Sequence, residues 1–587
     1  MVSSQENYVF GHGATLPLPL TLDRVMEEQS LTSTLPLFRL PIELFHHVTR
    51  YLSRSDLQSL ALVDRDSNQL ARTCLFSSIK LDYGDSSMQL LESIRRQWSS
   101  SVDPYAPKLG SCIRRLTVTT NLSFATSRDG TDLQVLMRLS EDVRHDHLLR
   151  AEQAQRRYFI LICEVIRDAL PNLQILDWDT IHPMTPAMLR CIAASPIKHL
   201  RFNRVQITEE FLVESTWKHR WELETLVINV SWLYSERIPG DTAPLVRSLI
   251  QQASPTLRQL VWKGEVNPAG TYIHSFPSPI YFPYLRRVVL DTVRACDSSV
   301  LTSLLGPAGT VRSLFIDSAS HINSEFLRTC GTINSLESFC WINHLISSYN
   351  DILVFLGQNS HIQHLDTVYS LPSPIIKSLL DLVHQGFYQL TSLHLTWEGT
   401  VIPTESLMHI GTINTLRHLW ISAGTQCGWR YDWEINHDDV QDAFKTLSLL
   451  ETLAFSRDSY RCDGHPLLDP SVYGYFSNKI LPGGIVFSDY LSNDELDEFR
   501  GEGVDFDEAL LLRNKMMALI WERCHQSRMV GVASMYFQTF PRLNWCYVGQ
   551  LAVATELQGA PVLKTKARDE YLVSLKRKWG ICDDLAL

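Results

Sequence analysis

"QLTSLHL", residues 389–395, holds an apolar residue, two variable positions, an apolar residue, one variable position and another apolar residue, counted from Leu390. Leu393 and Leu395 alternate with Ser392 and His394, the period of a strand with one face turned to a core. The same pattern returns as CIRRLTV, NLQILDW, PIKHLRF, ELETLVI, TLRQLVW, YLRRVVL, TVRSLFI, SLESFCW, HIQHLDT, TLRHLWI, LLETLAF and RLNWCYV. The first apolar residues of the thirteen units are Ile113, Leu173, Ile197, Leu223, Leu257, Leu285, Val311, Leu336, Ile362, Leu390, Leu416, Leu450 and Leu543. From Leu173 to Leu450 the spacing stays between 24 and 34 residues. Ordinary βα units of a doubly wound domain do not keep so even a period over so many copies.

Between the units lie TAPLVRSLIQQAS, SYNDILVFLGQNS, SPIIKSLLDLVHQG and HDDVQDAFKTLSLL, with apolar residues at helical spacing. A strand followed by a helix, repeated, predicts an α/β solenoid with parallel strands inside and helices outside. The repeats resemble the leucine-rich-repeat family, whose horseshoe has this layout. They depart from it where that family carries Asn or Cys eight residues after the first Leu: here Asn121 stands there once, and elsewhere Val205, Glu265, Ala319 or Gly424. Irregular turns are expected in consequence.

The remaining composition sets bounds. A chain of 587 residues, 45% hydrophobic and 20% charged, has material for a large core. Its formal charge of -11 argues against nucleic acid or an anionic membrane as partner. Twelve cysteines without a C-x-x-C pair match a reducing interior, and no leader or long apolar stretch is seen, so a soluble cytoplasmic or nuclear protein is expected.

Residues 39–71, RLPIELFHHVTRYLSRSDLQSLALVDRDSNQLA, form a unit of another kind. Pro41 suits a first helical turn, and Leu44, Phe45, Val48, Tyr51 and Leu52 recur on one face. Ser55, with Gln58 three residues on, predicts the cap of a second helix carrying Leu57, Leu60, Ala61 and Val63. Leu70, Leu75, Phe76 and Ile79 are expected on a third. Three short helices bury little surface alone, so the unit should lean on a neighbour.

The Leu-Pro-x-Glu start, the Tyr-Leu helix end, the Asp-Leu at 56–57 and the following Leu-x-Leu-Val run resemble the F-box over residues 37–80, which stands before leucine-rich repeats in that family's common order, and the closing FPRLNWCYVGQLAV resembles the last repeat of fungal receptors of this kind. The resemblance implies a three-helix F-box and a non-catalytic substrate receptor of a Skp-cullin-F-box ubiquitin ligase. It implies contacts with a Skp-type adaptor, and through it the cullin, by Leu40, Pro41, Glu43, Leu44, Val48, Leu52, Asp56, Leu57 and Leu60. The repeats would then hold an unknown protein substrate. The other reading is a repeat scaffold that recruits no ligase.

The expected organisation is a flexible arm at 1–36, the F-box at 37–81, linker helices and an irregular first repeat at 82–170, repeats at 171–456, an insertion at 457–540 and a last repeat with its cap at 541–587. The insertion carries an acidic stretch at 488–508 and an amphipathic run. Strand alternation turns the third, fifth and seventh residue of each unit to the concave face. That set includes Arg201, Asn203, Asn229, Lys263, Asp291, Phe315, Asp317, His364, His394, His418 and Trp420, a mixture that suits a protein surface. His364, His394 and His418 fall on successive strands but lack a cysteine or carboxylate at ligand spacing, so no metal is expected. No nucleophile elbow, phosphate loop or H-E-x-x-H motif is found, and neither catalysis nor a cofactor is expected.

Overall fold

The computed structural model describes most of residues 51–99, 108–120, 140–180, 184–203, 221–229, 243–263, 271–273, 280–317, 321–342, 349–456, 531–555 and 561–564, with a few single positions besides. Glu43, residues 508–526 and the acidic stretch at 488–508, apart from Ser492, lie outside the described residues, as does the arm at 1–36 apart from Ser33. The chain divides into two compact units, residues 14–312 and residues 313–587.

Among the described residues, the large sheet of the first unit has seven parallel strands in chain order: β1 (Ser78–Leu81), β2 (Arg115–Thr120), β3 (Ile175–Thr180), β4 (His199–Asn203), β5 (Thr225–Asn229), β6 (Gln259–Lys263) and β7 (Arg287–Asp291). Its helices are α1 (Arg54–Leu60), α2 (Arg65–Leu75), α3 (Asp85–Ser99), α4 (Glu141–Ala169), α5 (Pro186–Ala193), α6 (Ala243–Ala253) and α7 (Ser298–Leu305). The second unit carries seven more parallel strands: β8 (Ser313–Asp317), β9 (Ser338–Ile342), β10 (His364–Thr367), β11 (Ser392–Thr396), β12 (His418–Ser422), β13 (Thr452–Ser456) and β14 (Trp545–Val548). The antiparallel β15 (Leu551–Thr555) and β16 (Pro561–Lys564) end that sheet. Helices α8 (His321–Thr329), α9 (Tyr349–Gln358), α10 (Ser373–Gly386), α11 (Thr404–Gly411) and α12 (His437–Phe444) alternate with the strands.

Each of the thirteen sequence units is a strand, and neighbours pair at equal motif positions, as in Leu365↔Leu393↔Leu419↔Leu453. The first apolar residue of every unit is at most 4% exposed. Each such burial contributes about 1.5–3 kcal/mol, which is why the spacing persists. The α/β solenoid expected from the repeats is present, and α6, α9, α10 and α12 fall on the four helical stretches read between them.

Two local expectations are corrected. The second helix is capped by Ser53, not Ser55: Ser53 accepts from the Asp56 amide at 3.2 Å, and the Asp56 carboxylate accepts from the Ser53 amide at 2.9 Å. Asp56 answers the cap as a carboxylate, which Gln58 does not do for Ser55. Ile79 lies in β1 and not on a third helix, so the sheet begins one strand before the thirteen units. The missing Asn ladder has a partial substitute just ahead of the motif. Thr256, Thr310 and Thr415 donate their hydroxyls to the carbonyls of Leu223, Leu285 and Leu390, at 2.8, 2.8 and 2.6 Å, linking each unit to the one before.

Packing between helices is close at the end of α11, where a Cβ on Gly411 would sit 1.9 Å from the Ala443 carbonyl oxygen. At Gly399 the nearest atom would be 3.8 Å away. Gly411→Ala is therefore expected to destabilise by about 1–3 kcal/mol, the range for overpacking, and Gly399→Ala to leave the urea midpoint within error. Equal midpoints for the two variants would refute the close approach.

Candidate functional surfaces

Around α1 and α2 the apolar residues divide between two faces. Leu57, Leu70 and Ala71 are buried, and α2 packs on the turn at Leu109–Cys112, where the Gln69 amide donates to the Cys112 sulfur at 3.2 Å. Asp64 caps α2 by accepting from the Ser67 amide, and its other oxygen accepts from the Ser33 hydroxyl, both at 2.6 Å. The Ser33 and Ser67 bonds hold the Asp64 carboxyl below its ordinary range, and the Ser53 bonds do the same for Asp56.

Leu40, Leu44, Val48 and Tyr51 ahead of α1, and Leu62 and Val63 between α1 and α2, are all exposed, Tyr51 to 85% and Leu62 to 87%. A shallow concavity beside them is lined by Ala61, Leu62, Asp64, Arg65, Asn68 and Arg72. Of the expected adaptor contacts, Leu40, Pro41, Leu44, Val48 and Asp56 are exposed, and Leu52 and Leu60 are half-buried. Leu57 faces inward and is only 8% exposed, because it is the apolar residue that closes the small core.

Along the strands, the third, fifth and seventh positions form rows across neighbours. Arg201, Asn203, Asn229, Lys263, Asp291, His364 and His418 are half-buried there. Asn229 donates to Asn203 at 2.8 Å and Asn203 to Asp179 at 3.0 Å, a short polar ladder at the seventh position. Beside it Arg115 and Asp177 form a buried ion pair at 2.9 Å; burial pushes the Asp177 carboxyl up against the pull of Arg115. Asp317 ends β8, with its side chain outside the described residues.

Phe315, His394 and Trp420 do not line an open surface: they are 0%, 7% and 4% exposed. All three occupy fifth positions, at the middle of the row, where neighbouring strands crowd them from the sides. The row is bonded within itself. The Cys340 thiol donates to Asp366 at 3.5 Å, the other Asp366 oxygen meets His394 Nδ1 at 2.5 Å, and the His394 ring stacks on Trp420 with centroids 4.0 Å apart. His364 and His418 both pair in register with Ser392, so a strand separates them. Among the described residues, no three His, Cys, Asp or Glu side chains come together to hold a metal ion, and no helix is long and apolar enough to cross a membrane.

No family model matches this chain, and no curated protein does. Among solved structures, the TLR13–ssRNA13 complex aligns with 12% identity and a TM-score of 0.25, over 51% of this chain and 55% of the TLR13 chain, so the chain spans about half of that protein. A leucine-rich-repeat protein of Leptospira interrogans aligns with the same identity and TM-score, over 65% of this chain and 83% of its own. At that level the likeness adds nothing to the solenoid that the strand register establishes.

Burial pushes the His199 and His364 imidazoles below their ordinary pKa. A histidine depressed in the fold binds fewer protons folded than unfolded, so its stability is intact above about pH 6.5 and falls as pH drops through that value. The urea midpoint is expected to decline from about pH 7.5 to about pH 5.5, with a slope of at most about 1.4 kcal/mol per pH unit per histidine. His364→Gln should make the decline shallower, and an unchanged slope would contradict the buried neutral ring.

Proposed function

We propose that this chain is the substrate-recognition subunit of an SCF-type ubiquitin ligase, with the N-terminal helices docked on a Skp-type adaptor and the repeats holding a target protein. The observation that carries the reading is the outer face of the N-terminal unit. Six large apolar side chains between Leu40 and Val63 are exposed around two helices whose inward residues are already packed. Such a face costs solubility unless a partner covers it, and a helical surface with aliphatic anchors suits a groove between partner helices. The F-box resemblance covers the same residues. On this reading the chain performs no chemistry itself; it raises the concentration of its target beside the ligase's catalytic partners, in the cytoplasm or nucleus.

A scaffold without ligase recruitment is the second reading, favoured by the packing of α2 on the turn at Leu109–Cys112, which gives the N-terminal helices a capping role in the repeats. Deleting residues 1–80 does not separate the two, since it removes part of β1. Surface substitutions do. Leu44→Asp with Leu62→Asp should leave the circular dichroism spectrum and the thermal midpoint unchanged, because both side chains are exposed. It should also abolish co-purification with a Skp-type adaptor; retained co-purification would leave the scaffold reading standing. Leu57 is unsuited to this test, as a charge there would break the core.

A further inference from the structure

Two of the twelve cysteines meet where α4 packs on α5. Cys163, on α4, stands among Phe159, Ile162 and Ile166, which are fully buried, and is itself 5% exposed. Cys191, in the last turn of α5, is half-buried. Neither is in a disulfide; the Cys163 thiol donates a hydrogen bond to the Cys191 sulfur.

The surroundings of the two sulfurs differ in a way that packing alone does not require. Arg167, one turn beyond Cys163 on α4, also donates to the Cys191 sulfur. Its guanidinium is steadied by Asp168, whose two oxygens accept from Nε at 2.8 Å and from Nη2 at 2.6 Å. The bond from Cys163 and the nearby Arg167 outweigh partial burial and the Asp168 charge, and draw the Cys191 thiol down to about 6. Cys163 goes the other way, pushed up by that same bond and by burial. The end of a helix disfavours an anion, so a thiolate at Cys191 rests on these two donors. An accessible thiolate thus touches a buried thiol, the arrangement in which a first oxidised sulfur is captured by a second.

We propose that Cys191 and Cys163 are a peroxide-responsive dithiol, Cys191 attacking and Cys163 resolving, that closes to a reversible disulfide between α4 and α5. The Cys191 thiolate attacks one oxygen of hydrogen peroxide, the O–O bond breaks, and hydroxide leaves to be protonated to water. Cys191 is then a sulfenic acid. The Cys163 sulfur displaces its hydroxyl, the S–S bond forms, and the Cys163 proton leaves with that hydroxyl as a second water. Two thiols are oxidised and one peroxide is reduced, so the step needs no other oxidant. A small thiol returns the pair to the reduced state by exchange. Sulfurs already in hydrogen-bond contact reach the about 2 Å of a disulfide by turning side-chain torsions. The closed loop contains β3, and tying its ends restricts chiefly the unfolded chain.

The test treats the purified full chain with a few equivalents of hydrogen peroxide, blocks the remaining thiols and digests with trypsin. A linked pair of peptides is expected, YFILICEVIR at 158–167 with CIAASPIK at 191–198, lighter than their sum by the two thiol hydrogens and separated by dithiothreitol. Cys163→Ser should stop at a sulfenic acid on Cys191, trapped by dimedone. Cys191→Ser should leave Cys163 unmodified and, because Cys191 reaches the surface, keep the parent's circular dichroism spectrum. In the unoxidised parent, iodoacetamide should label Cys191 with a pH midpoint of about 6. Arg167→Gln should raise that midpoint and slow disulfide formation several-fold. The proposal is overturned if Cys191 reacts no faster than the other cysteines at neutral pH. A Cys191 bond to a second copy of the chain, or no linked pair under peroxide, would overturn it equally.

Discussion

Everything in this molecule hangs on the lateral register between parallel strands. In parallel pairing a slip of one residue would move Leu393 and Leu395 to the opposite face and bring Ser392 and His394 into the core. The pairing of like motif positions, Leu393 with Leu419 and Leu419 with Leu453, avoids that on every strand. The same pairing holds between strands far apart in sequence: Thr452 of β13 pairs directly with Trp545 of β14, again at equal motif positions. Loop closure costs grow only slowly with length, whereas loss of register would forfeit a buried row.

That dependence sets what was legible in the sequence. The thirteen units and four of the intervening helices could be read because burial of one aliphatic residue per repeat leaves a period in the chain. β1 was missed although Phe76, Ile79 and Leu81 keep the motif's spacing and pair with β2 at equal positions, because Phe76 and Ile79 also lie three apart, as on a helix following Leu75. Likewise the choice between Ser53 and Ser55 as helix cap turns on which one has an acidic residue three positions on. The lateral bonds of Thr256, Thr310 and Thr415 were missed because they join residues a repeat apart and lie outside the motif proper. Alternation gives the face to which His394 and Trp420 belong, but not that the Asp366 contact and the stacked rings close that part of the face.

A register that stacks leucine on leucine also stacks every other motif position on itself. Composition at one position therefore becomes a line across the sheet: a hydrogen-bonded ladder from Asp179 to Asn229, and a buried bonded row from Cys340 to Trp420. Both lines hold together through hydrogen bonds from strand to strand, the second ending in the stacked His394 and Trp420 rings. At the second position, too, charges meet across repeats, Glu224 between Lys198 and Arg258 and Glu451 beside Arg417.

The N-terminal helices follow a different logic, because they are too few to hold a core and are anchored through only one of their faces. Leu57, Leu70 and Gln69 secure α1 and α2 inward, and Asp64 ties the start of α2 to Ser33. Fixed in this way, they hold Tyr51, Leu62 and Val63 outward at a place set by the repeats rather than by their own packing. Capping and recruitment are thus compatible roles of opposite faces. The inward face packs against the first repeats, and the outward face is the one that the proposed adaptor would cover.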